Sequence, residues 1–217
     1  MRILVYDVAA SSGGALTVLN SFYEEFCKDT KNEYIFVLSV CKLKEQPHIK
    51  VLNFPWIKKS LLHRMYFDQV LAHKLVKKYH ADKVLSLQNI ELPYAGVPQM
   101  VYEHNALPFS EYKFRPQEAF RPWYSQQILG RMMKKSIRRA EQVLVQTNWM
   151  KEEIVRQCKI PAERVQVKFP PVEMLKTDPW QMEEGHTVFF FPAGPPAYKN
   201  HRTFLKACEL LKKRGCT

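Results

Sequence analysis

The stretch MRILVYDVAASSGGALTVLNSFYEEF, residues 1–26, decides the fold of this chain. Residues 2–8 form a short apolar run, and the loop AASSGG at residues 9–14 follows it. Such a run, bounded by turn residues, is typical of a buried strand that enters a tight loop. Apolar residues then recur at three- and four-residue spacing: Leu16, Leu19, Phe22, Tyr23 and Phe26. This spacing predicts a helix directly after the loop.

The same alternation continues along the chain. Short apolar or β-branched runs predict further strands at residues 33–40, 49–54, 83–89, 97–105, 141–147 and 163–169. Helices are predicted over residues 60–80 and 117–139, and from Thr147 or Asn148, either of which can cap a helix. Strands that alternate with helices predict an α/β fold with a parallel sheet and helices on both faces.

A change of composition near residue 170 predicts a domain boundary. Residues 170–185, PPVEMLKTDPWQMEEG, contain three prolines and have neither a helical nor a strand period. They are therefore read as a linker. After them a predicted strand at 186–191, a Pro/Gly turn and a helix at 202–213 repeat the opening order. We predict a first domain at 1–169, a linker at 170–186 and the start of a second domain at 187–217.

Composition limits the class of protein. The chain of 217 residues is 46% hydrophobic and 25% charged, as in globular proteins, and has no apolar run near the roughly 20 residues that span a bilayer. Five cysteines, an odd number without a CxxC pair, indicate a reducing cytoplasm. The net charge of +12 favours an anionic partner, which could be nucleic acid, lipid headgroups or a phosphorylated small molecule.

Ligands of parallel α/β sheets bind beyond the carboxyl ends of the strands. The residues predicted there are Ser11 to Gly14, which include Gly13 and Gly14, together with Gln88, Asn89, His104 and Asn105. The two glycines could let backbone N–H groups approach a phosphate or sugar, although a plain turn explains them equally well. No GxGxxG or P-loop motif accompanies them. His104 could hydrogen-bond a substrate or move a proton, or it could be structural.

Two basic features complete the candidates. Lys199, followed by Asn200, lies between a Pro/Gly turn and a predicted helix, where an ammonium and free N–H groups can hold a diphosphate; a solvated lysine is the alternative. The helix at 117–139 mixes aromatic residues with a basic set: Arg131, Lys134, Lys135, Arg138 and Arg139. This set could face an anionic membrane or nucleic acid, or form a solvated surface. No nucleic-acid motif and no metal-binding pattern is present, so neither ligand is expected.

The ordered motifs GGA, SLQN, PQMVYEHNALPF, VLVQTNWMKEEI, ERVQVKFPPVE and FFFPAGPPAYKNHRTFLKACELL resemble the family 4 retaining glycosyltransferases, in particular those that build bacterial surface polysaccharides. The resemblance implies the GT-B fold, in which two Rossmann-like domains face each other across a cleft. The first domain holds a glycan or lipid-linked acceptor, and the second binds a nucleotide-sugar without a metal or another cofactor. Together with the cysteine usage and the basic helix at 117–139, a cytoplasmic location that could be peripheral on the inner face of the membrane is expected.

By the same resemblance, Gly13 and Gly14 match the family's glycine loop, His104 the histidine that contacts the transferred sugar, and Lys199 the lysine that neutralises the donor diphosphate. The arginine that often precedes this lysine is replaced here, where Ala193 and Gly194 stand. Two family glutamates that hold the donor fall beyond Thr217. We therefore expect a truncated chain that is inactive alone, with a separate donor-binding domain as its partner. The alternative is a non-catalytic module that binds anionic membrane or glycan through its basic, aromatic face.

Overall fold

The computed structural model describes residues 1–169, 188–194 and 197–215. The chain divides into two compact units. The first consists of Met1–Lys113 and Ser125–Pro171, and the second of Phe114–Tyr124 and Val172–Thr217. The predicted linker at 170–186 lies outside the described residues, and the predicted domain boundaries stay a prediction.

The first unit is built on a seven-stranded parallel sheet with the order β3-β2-β1-β4-β5-β6-β7. Its strands are β1 Arg2–Asp7, β2 Glu33–Leu38, β3 Ile49–Asn53, β4 Lys83–Ser86, β5 Gln99–Glu103, β6 Gln142–Val145 and β7 Val165–Val167. Each strand predicted for this part of the chain is present. Most of their side chains are buried, as expected for strands covered on both faces.

Helices cover both faces of this sheet. The helices of the first unit are α1 Gly13–Lys28, α2 Leu61–Tyr66, α3 Ala72–Lys78, α5 Gly130–Arg139 and α6 Asn148–Cys158, and those of the second unit are α4 Phe120–Tyr124 and α7 His201–Lys213. Helix α1 buries Leu19 and Phe22 against Val5 of the sheet. The neighbouring Leu4 points to the opposite face and packs among residues of α3, because successive side chains of a strand alternate between faces.

Both long predicted helices contain a π-helical segment that the sequence did not predict. Residues Phe67–Leu71 lie between α2 and α3, and Ser125–Leu129 lie between α4 and α5. In the first segment Phe67 is fully buried, with its ring centroid 4.9 Å from that of Phe54. Asp68, next to it, accepts a hydrogen bond from the hydroxyl of Tyr6. In the wider π-helical turn, Phe67 thus lies in the core, while its neighbour Asp68 contacts Tyr6 of strand β1.

The order of the strands fixes where the loops meet. The chain runs outward from β1 to β3 on one side and then returns to place β4 on the other side of β1. Such a reversal opens a crevice at the carboxyl ends of the two strands where it occurs. The loops that follow β1 and β4, residues 8–12 and 87–98, border this crevice.

The second unit confirms one predicted element and corrects another. Helix α7 spans His201–Lys213, close to the predicted 202–213. The strand predicted at 186–191 is wrong for its described part, because residues 188–191 have no strand partner. A strand is stable only when its backbone groups pair with a neighbour. Phe190 in this segment is accordingly 84% exposed.

Candidate functional site

The candidate site lies at the carboxyl edge of the sheet, where the structure brings Asn89, His104 and Asn105 together. Asn89 has a positive φ of 65°, a left-handed conformation that asparagine adopts more readily than most residues. Its side-chain oxygen accepts hydrogen bonds from the backbone N–H groups of His104, at 2.7 Å, and Asn105, at 3.1 Å. The loop after β4 therefore fixes the end of β5.

Asn105 is itself used to shape the loop that follows β5. Its side-chain oxygen accepts from the N–H of Leu107 at 3.2 Å, and its amide nitrogen donates to the hydroxyl of Ser125 at 3.3 Å. The side chains of Asn89 and Asn105 thus hold backbone in place. Direct contact of either side chain with a substrate stays a prediction.

The imidazole of His104 is half-buried at this edge. Burial lowers its pKa below the ordinary value of 6.5, so the ring is neutral at pH 7. Its nitrogens form no hydrogen bond with any residue that the structure describes. A neutral imidazole has one N–H donor and one acceptor nitrogen. His104 can therefore both donate to and accept from a ligand hydroxyl.

The protonation of His104 is directly measurable. We expect the Cε1 proton of His104 to titrate with a midpoint below 6.5, because burial disfavours the imidazolium. An NMR titration between pH 4 and 8, with the resonance assigned by its loss in His104→Gln, measures this midpoint. A midpoint at or above 6.5 would contradict the neutral form assigned here.

Asp7 ends β1 beside the crevice, and the sequence did not single it out as a site residue. One carboxylate oxygen accepts from the N–H of Ala10 at 3.1 Å, while the other is buried without a hydrogen-bond partner in the described part of the chain. Burial raises the pKa of Asp7 to about 7, although the Ala10 N–H and the charges of Arg64 and Lys58 act in the opposite direction. Asp7 therefore exchanges a proton near neutral pH. Its position at the end of a buried strand, like that of His104, was the available signal.

A second set of residues that the sequence did not predict, a charged network, lies around Gln88. The guanidinium of Arg64 donates to Asp68 at 2.6 Å and to the side-chain oxygen of Gln88 at 2.9 Å. Asp68 also accepts a hydrogen bond from the hydroxyl of Tyr6. Burial and the charge of Asp68 raise the pKa of Tyr6 well above the ordinary value. Lys58, from the turn at Pro55–Lys59, donates to the carbonyl of Ala9 at 2.8 Å. Gln88, a predicted substrate residue, is thus joined to a charged network at the crevice.

Glu103 ends β5 on the face opposite to Tyr102 and is completely buried. One of its oxygens accepts from the N–H of Asn105 at 3.4 Å, and the other has no hydrogen-bond partner among the described residues. Burial raises the pKa of Glu103 well above its usual range. Burial therefore disfavours the ionised form of this carboxyl. As with Asp7, the sequence pattern predicted that a strand ends near this residue but did not predict that its carboxyl is buried.

Gly13 and Gly14 begin α1, after the loop 8–12 that follows Asp7. Gly13 has a φ of +60°, which side chains rarely adopt, whereas Gly14 has an ordinary φ. Ser12 makes no side-chain hydrogen bond to the start of the helix, and the first turn contains no acidic residue. The N–H groups and the positive end of the helix dipole are thus open to a ligand anion. Phosphate or sugar binding by the glycines stays a prediction.

Lys199 and Asn200 precede helix α7 in the second unit, as predicted. Lys199 is exposed, and its ammonium lies 5.4 Å from the ring centroid of Tyr198. Asn200 has a φ of 55°, and its side-chain oxygen accepts from the hydroxyl of Thr203 at 2.9 Å. The first turn of α7 contains no acidic residue. The arrangement has the charge that a diphosphate needs, and its use for that purpose stays a prediction.

The five basic residues of α5 differ in their surroundings. The ammonium of Lys134 donates to Gln157 at 2.7 Å, the guanidinium of Arg138 to the carbonyl of Cys158, and that of Arg139 to Glu91. These three side chains therefore each make a hydrogen bond within the first unit. Arg131 and Lys135 are exposed and form no ion pair among the described residues, and Arg138 and Arg139 are exposed as well, so the predicted membrane contact stays a prediction.

The described residues contain neither a metal-binding cluster nor a helix that could cross a membrane. No group of three or more His, Cys, Asp or Glu side chains there is placed to hold a metal ion. Among the same residues, no helix combines the length and the apolar character that crossing a bilayer requires.

Comparison with known proteins identifies the fold. No protein-family model matches the sequence, and no curated protein matches it. The structure is similar to the apo form of the lipopolysaccharide outer core galactosyltransferase WaaB, with a TM-score of 0.52 and 19% identity over 81% of this chain and 47% of WaaB. It also matches Phytolacca americana UGT2, solved with UDP-2fluoro-glucose and pterostilbene, with a TM-score of 0.49 and 11% identity over 82% of this chain and 54% of UGT2. The chain thus spans about half the length of these proteins.

Identity this low shows the fold alone. The predicted fold class, a Rossmann-like parallel sheet as in the N-terminal domain of GT-B glycosyltransferases, is confirmed for the first unit. Family 4 membership and the stereochemical outcome of transfer are not established by this likeness.

Proposed function

We propose that this chain is the acceptor-side part of a retaining, family 4 glycosyltransferase that moves a hexosyl group from a nucleotide-sugar to a glycan or lipid-linked acceptor. The observation that carries the proposal is the neutral, half-buried imidazole of His104 at the carboxyl edge of the sheet. Its position is fixed by the Asn89 side chain, and its ring nitrogens have no partner in the described residues. The similarity to the fold of WaaB is consistent with this role.

The chemistry assigned to His104 follows from its neutral state. A neutral imidazole can donate to one sugar hydroxyl or accept from another, and it introduces no positive charge that would repel a developing oxocarbenium ion. Its backbone N–H is held by the Asn89 side chain, so the ring needs little reorganisation when the sugar arrives. In this proposal His104 contacts the transferred sugar and stabilises the transition state by orientation.

The remaining roles divide between the two units. Leaving-group departure places negative charge on the donor diphosphate, and a fixed cation next to it lowers the barrier. The proposal assigns this contact to Lys199, with Asn200 and the N-terminus of α7 next to it. It assigns acceptor binding to the crevice of the first unit near Gln88. No metal has a role in this scheme.

Glycan binding tests the proposal. We expect a dephosphorylated core oligosaccharide from bacterial lipopolysaccharide to shift the backbone amide resonances of Asn89, His104 and Asn105 in a ¹⁵N-labelled chain. His104→Ala is expected to weaken this binding about tenfold, as the loss of one or two ligand hydrogen bonds predicts. His80→Asn is the matched control, since His80 is exposed and its φ of 50° suits asparagine. Absence of binding, or an equal loss in both variants, would contradict the proposal.

Membrane association remains part of the proposal only through exposed residues of α5. Arg131 and Lys135 make no such bonds, whereas Lys134, Arg138 and Arg139 each make one hydrogen bond within the first unit, although Arg138 and Arg139 are still exposed. A cytoplasmic, peripheral location is proposed on the same basis. No specific observation favours the non-catalytic alternative.

A further inference from the structure

Lys58 and Arg64, which belong to one short segment, contact the two loops that border the crevice next to the proposed site. The segment comprises the turn Pro55–Lys59 and helix α2. The ammonium of Lys58 donates to the carbonyl of Ala9, at 2.8 Å, and the guanidinium of Arg64 donates to Gln88, at 2.9 Å. Ala9 belongs to the loop after β1 and Gln88 to the loop after β4. The two cations are therefore anchored on the two loops that border the point where the strand order reverses.

The charge of this pair is only partly balanced. Asp68 forms an ion pair with Arg64 at 2.6 Å, but Lys58 forms no ion pair with the residues that the structure describes. Burial and the nearby charge of Arg64 lower the pKa of Lys58. The other acid within reach is Asp7, whose raised pKa of about 7 leaves it partly protonated at neutral pH. Like charges held near one another are unfavourable unless an anion joins them.

Both cations retain unused donors that face solvent. Lys58 is exposed and makes one hydrogen bond, whereas an ammonium has three N–H groups. The side chain of Arg64 is 25% exposed, and its Nη1 nitrogen has no hydrogen bond within the described residues. A guanidinium and an ammonium with free donors are the groups that bind phosphate and carboxylate.

We propose that Lys58 and Arg64 bind an acidic group, a phosphate or carboxylate, on the acceptor sugar. The assignment of the anion to the acceptor rests on the proposed function. An acceptor anchored in this way places its sugar beside Gln88 and the loop that carries Asn89. The substrate class is then an acidic or phosphorylated glycan, and a neutral glycan of the same shape binds more weakly.

Binding of small sugars tests this site without sugar transfer. A ¹⁵N-labelled chain is titrated with glucose 6-phosphate, glucuronic acid, glucose, inorganic phosphate and UDP. We expect the two acidic sugars to shift amides of residues 8–10 and 56–66, with an affinity about tenfold or more above that of glucose. Lys58→Gln is expected to weaken glucose 6-phosphate binding about tenfold. Arg64→Lys keeps the charge but loses the bond to Gln88, and an intermediate loss of about threefold is expected.

Lys59→Gln is the matched control, because Lys59 is an exposed neighbour whose ammonium makes no hydrogen bond in the described part of the chain. Equal losses in the Lys58 and Lys59 variants, or equal affinities for glucose and glucose 6-phosphate, would overturn the proposal. Tighter binding of UDP at the same amides would assign the anion to the donor, and this would also overturn the proposal. The proposal would fail as well if inorganic phosphate bound as tightly as glucose 6-phosphate. Failure of the proposed function appears instead as absent binding of the dephosphorylated oligosaccharide near His104.

Discussion

Replacement of Asp7 by asparagine is expected to make the stability of the protein much less dependent on pH. The free energy of unfolding of Asp7→Asn, relative to that of the natural chain, should rise by about 3–4 kcal/mol between pH 4 and pH 8. This magnitude follows from a pKa of about 7 in the folded protein against 3.8 for a free aspartate, at about 1.4 kcal/mol for each pKa unit. The side chain is almost fully buried, so solvent screening reduces the effect little.

The sign follows from proton linkage. Below pH 3.8 the carboxyl of Asp7 is protonated in both states and has no ionic cost. Between pH 3.8 and 7 the unfolded chain releases the proton while the folded protein retains it, so unfolding becomes more favourable as pH rises. Above pH 7 the penalty is constant. Asparagine cannot ionise, yet its side-chain oxygen can still accept from the Ala10 N–H, so the penalty disappears in the variant.

Urea denaturation at several pH values measures this difference. Glu24→Gln is the matched control, since Glu24 is exposed and makes no hydrogen bond or ion pair in the part of the chain that the structure describes. The same loss of a carboxylate there shows what the substitution does at an exposed position, and the change that is specific to Asp7 is the difference between the two variants. If the difference in free energy of unfolding between Asp7→Asn and the natural chain does not change with pH, Asp7 is ionised without penalty in the folded protein.

The fold was predictable because its signals are local. Strands such as Arg2–Asp7 appear as short apolar runs, and α1 appears in the spacing of Leu19, Phe22 and Phe26. The π-helical segments were not predictable, since an extra residue in one turn hardly changes the apolar spacing. The strand expected near Phe190 failed for another reason: a strand needs a hydrogen-bonded neighbour, and the local sequence does not specify one.

The candidate site was predictable only where a residue ends a strand. His104, Asn89 and Asn105 were found by this rule, and the hydrogen bonds of Asn89 bring them together. Arg64 was missed because its partner Gln88 is 24 residues away in the chain, and only the packing of α2 brings the two together. Asp7 was missed for a different reason. A strand-end carboxyl looks like surface in a sequence, and its burial depends on the loop that folds back over it.

Replacement of Asn89 by alanine is expected to lower the free energy of unfolding by about 2–3 kcal/mol. The variant removes the oxygen that accepts from the backbone N–H groups of His104 and Asn105, and an unsatisfied buried donor costs about 1–3 kcal/mol. The N–H of Asn105 keeps a longer contact to Glu103 at 3.4 Å, so most of the loss comes from the N–H of His104. Alanine also tolerates the left-handed φ of 65° poorly, at a cost of roughly 1 kcal/mol.

Two further variants separate the loss of the acceptor oxygen from the strain of the left-handed φ. They also test whether Asn89 positions His104. Asn89→Asp keeps an acceptor oxygen and is expected to lose about 1 kcal/mol or less, whereas Asn89→Gly removes the acceptor but accepts the left-handed φ. Urea denaturation measures the stability, and hydrogen exchange of the His104 amide reports the bond itself. If the bond holds His104 in place, that amide exchanges fast in the alanine and glycine variants and slowly in the aspartate variant. Equal protection in all three would show that the backbone of β5, rather than Asn89, positions the imidazole.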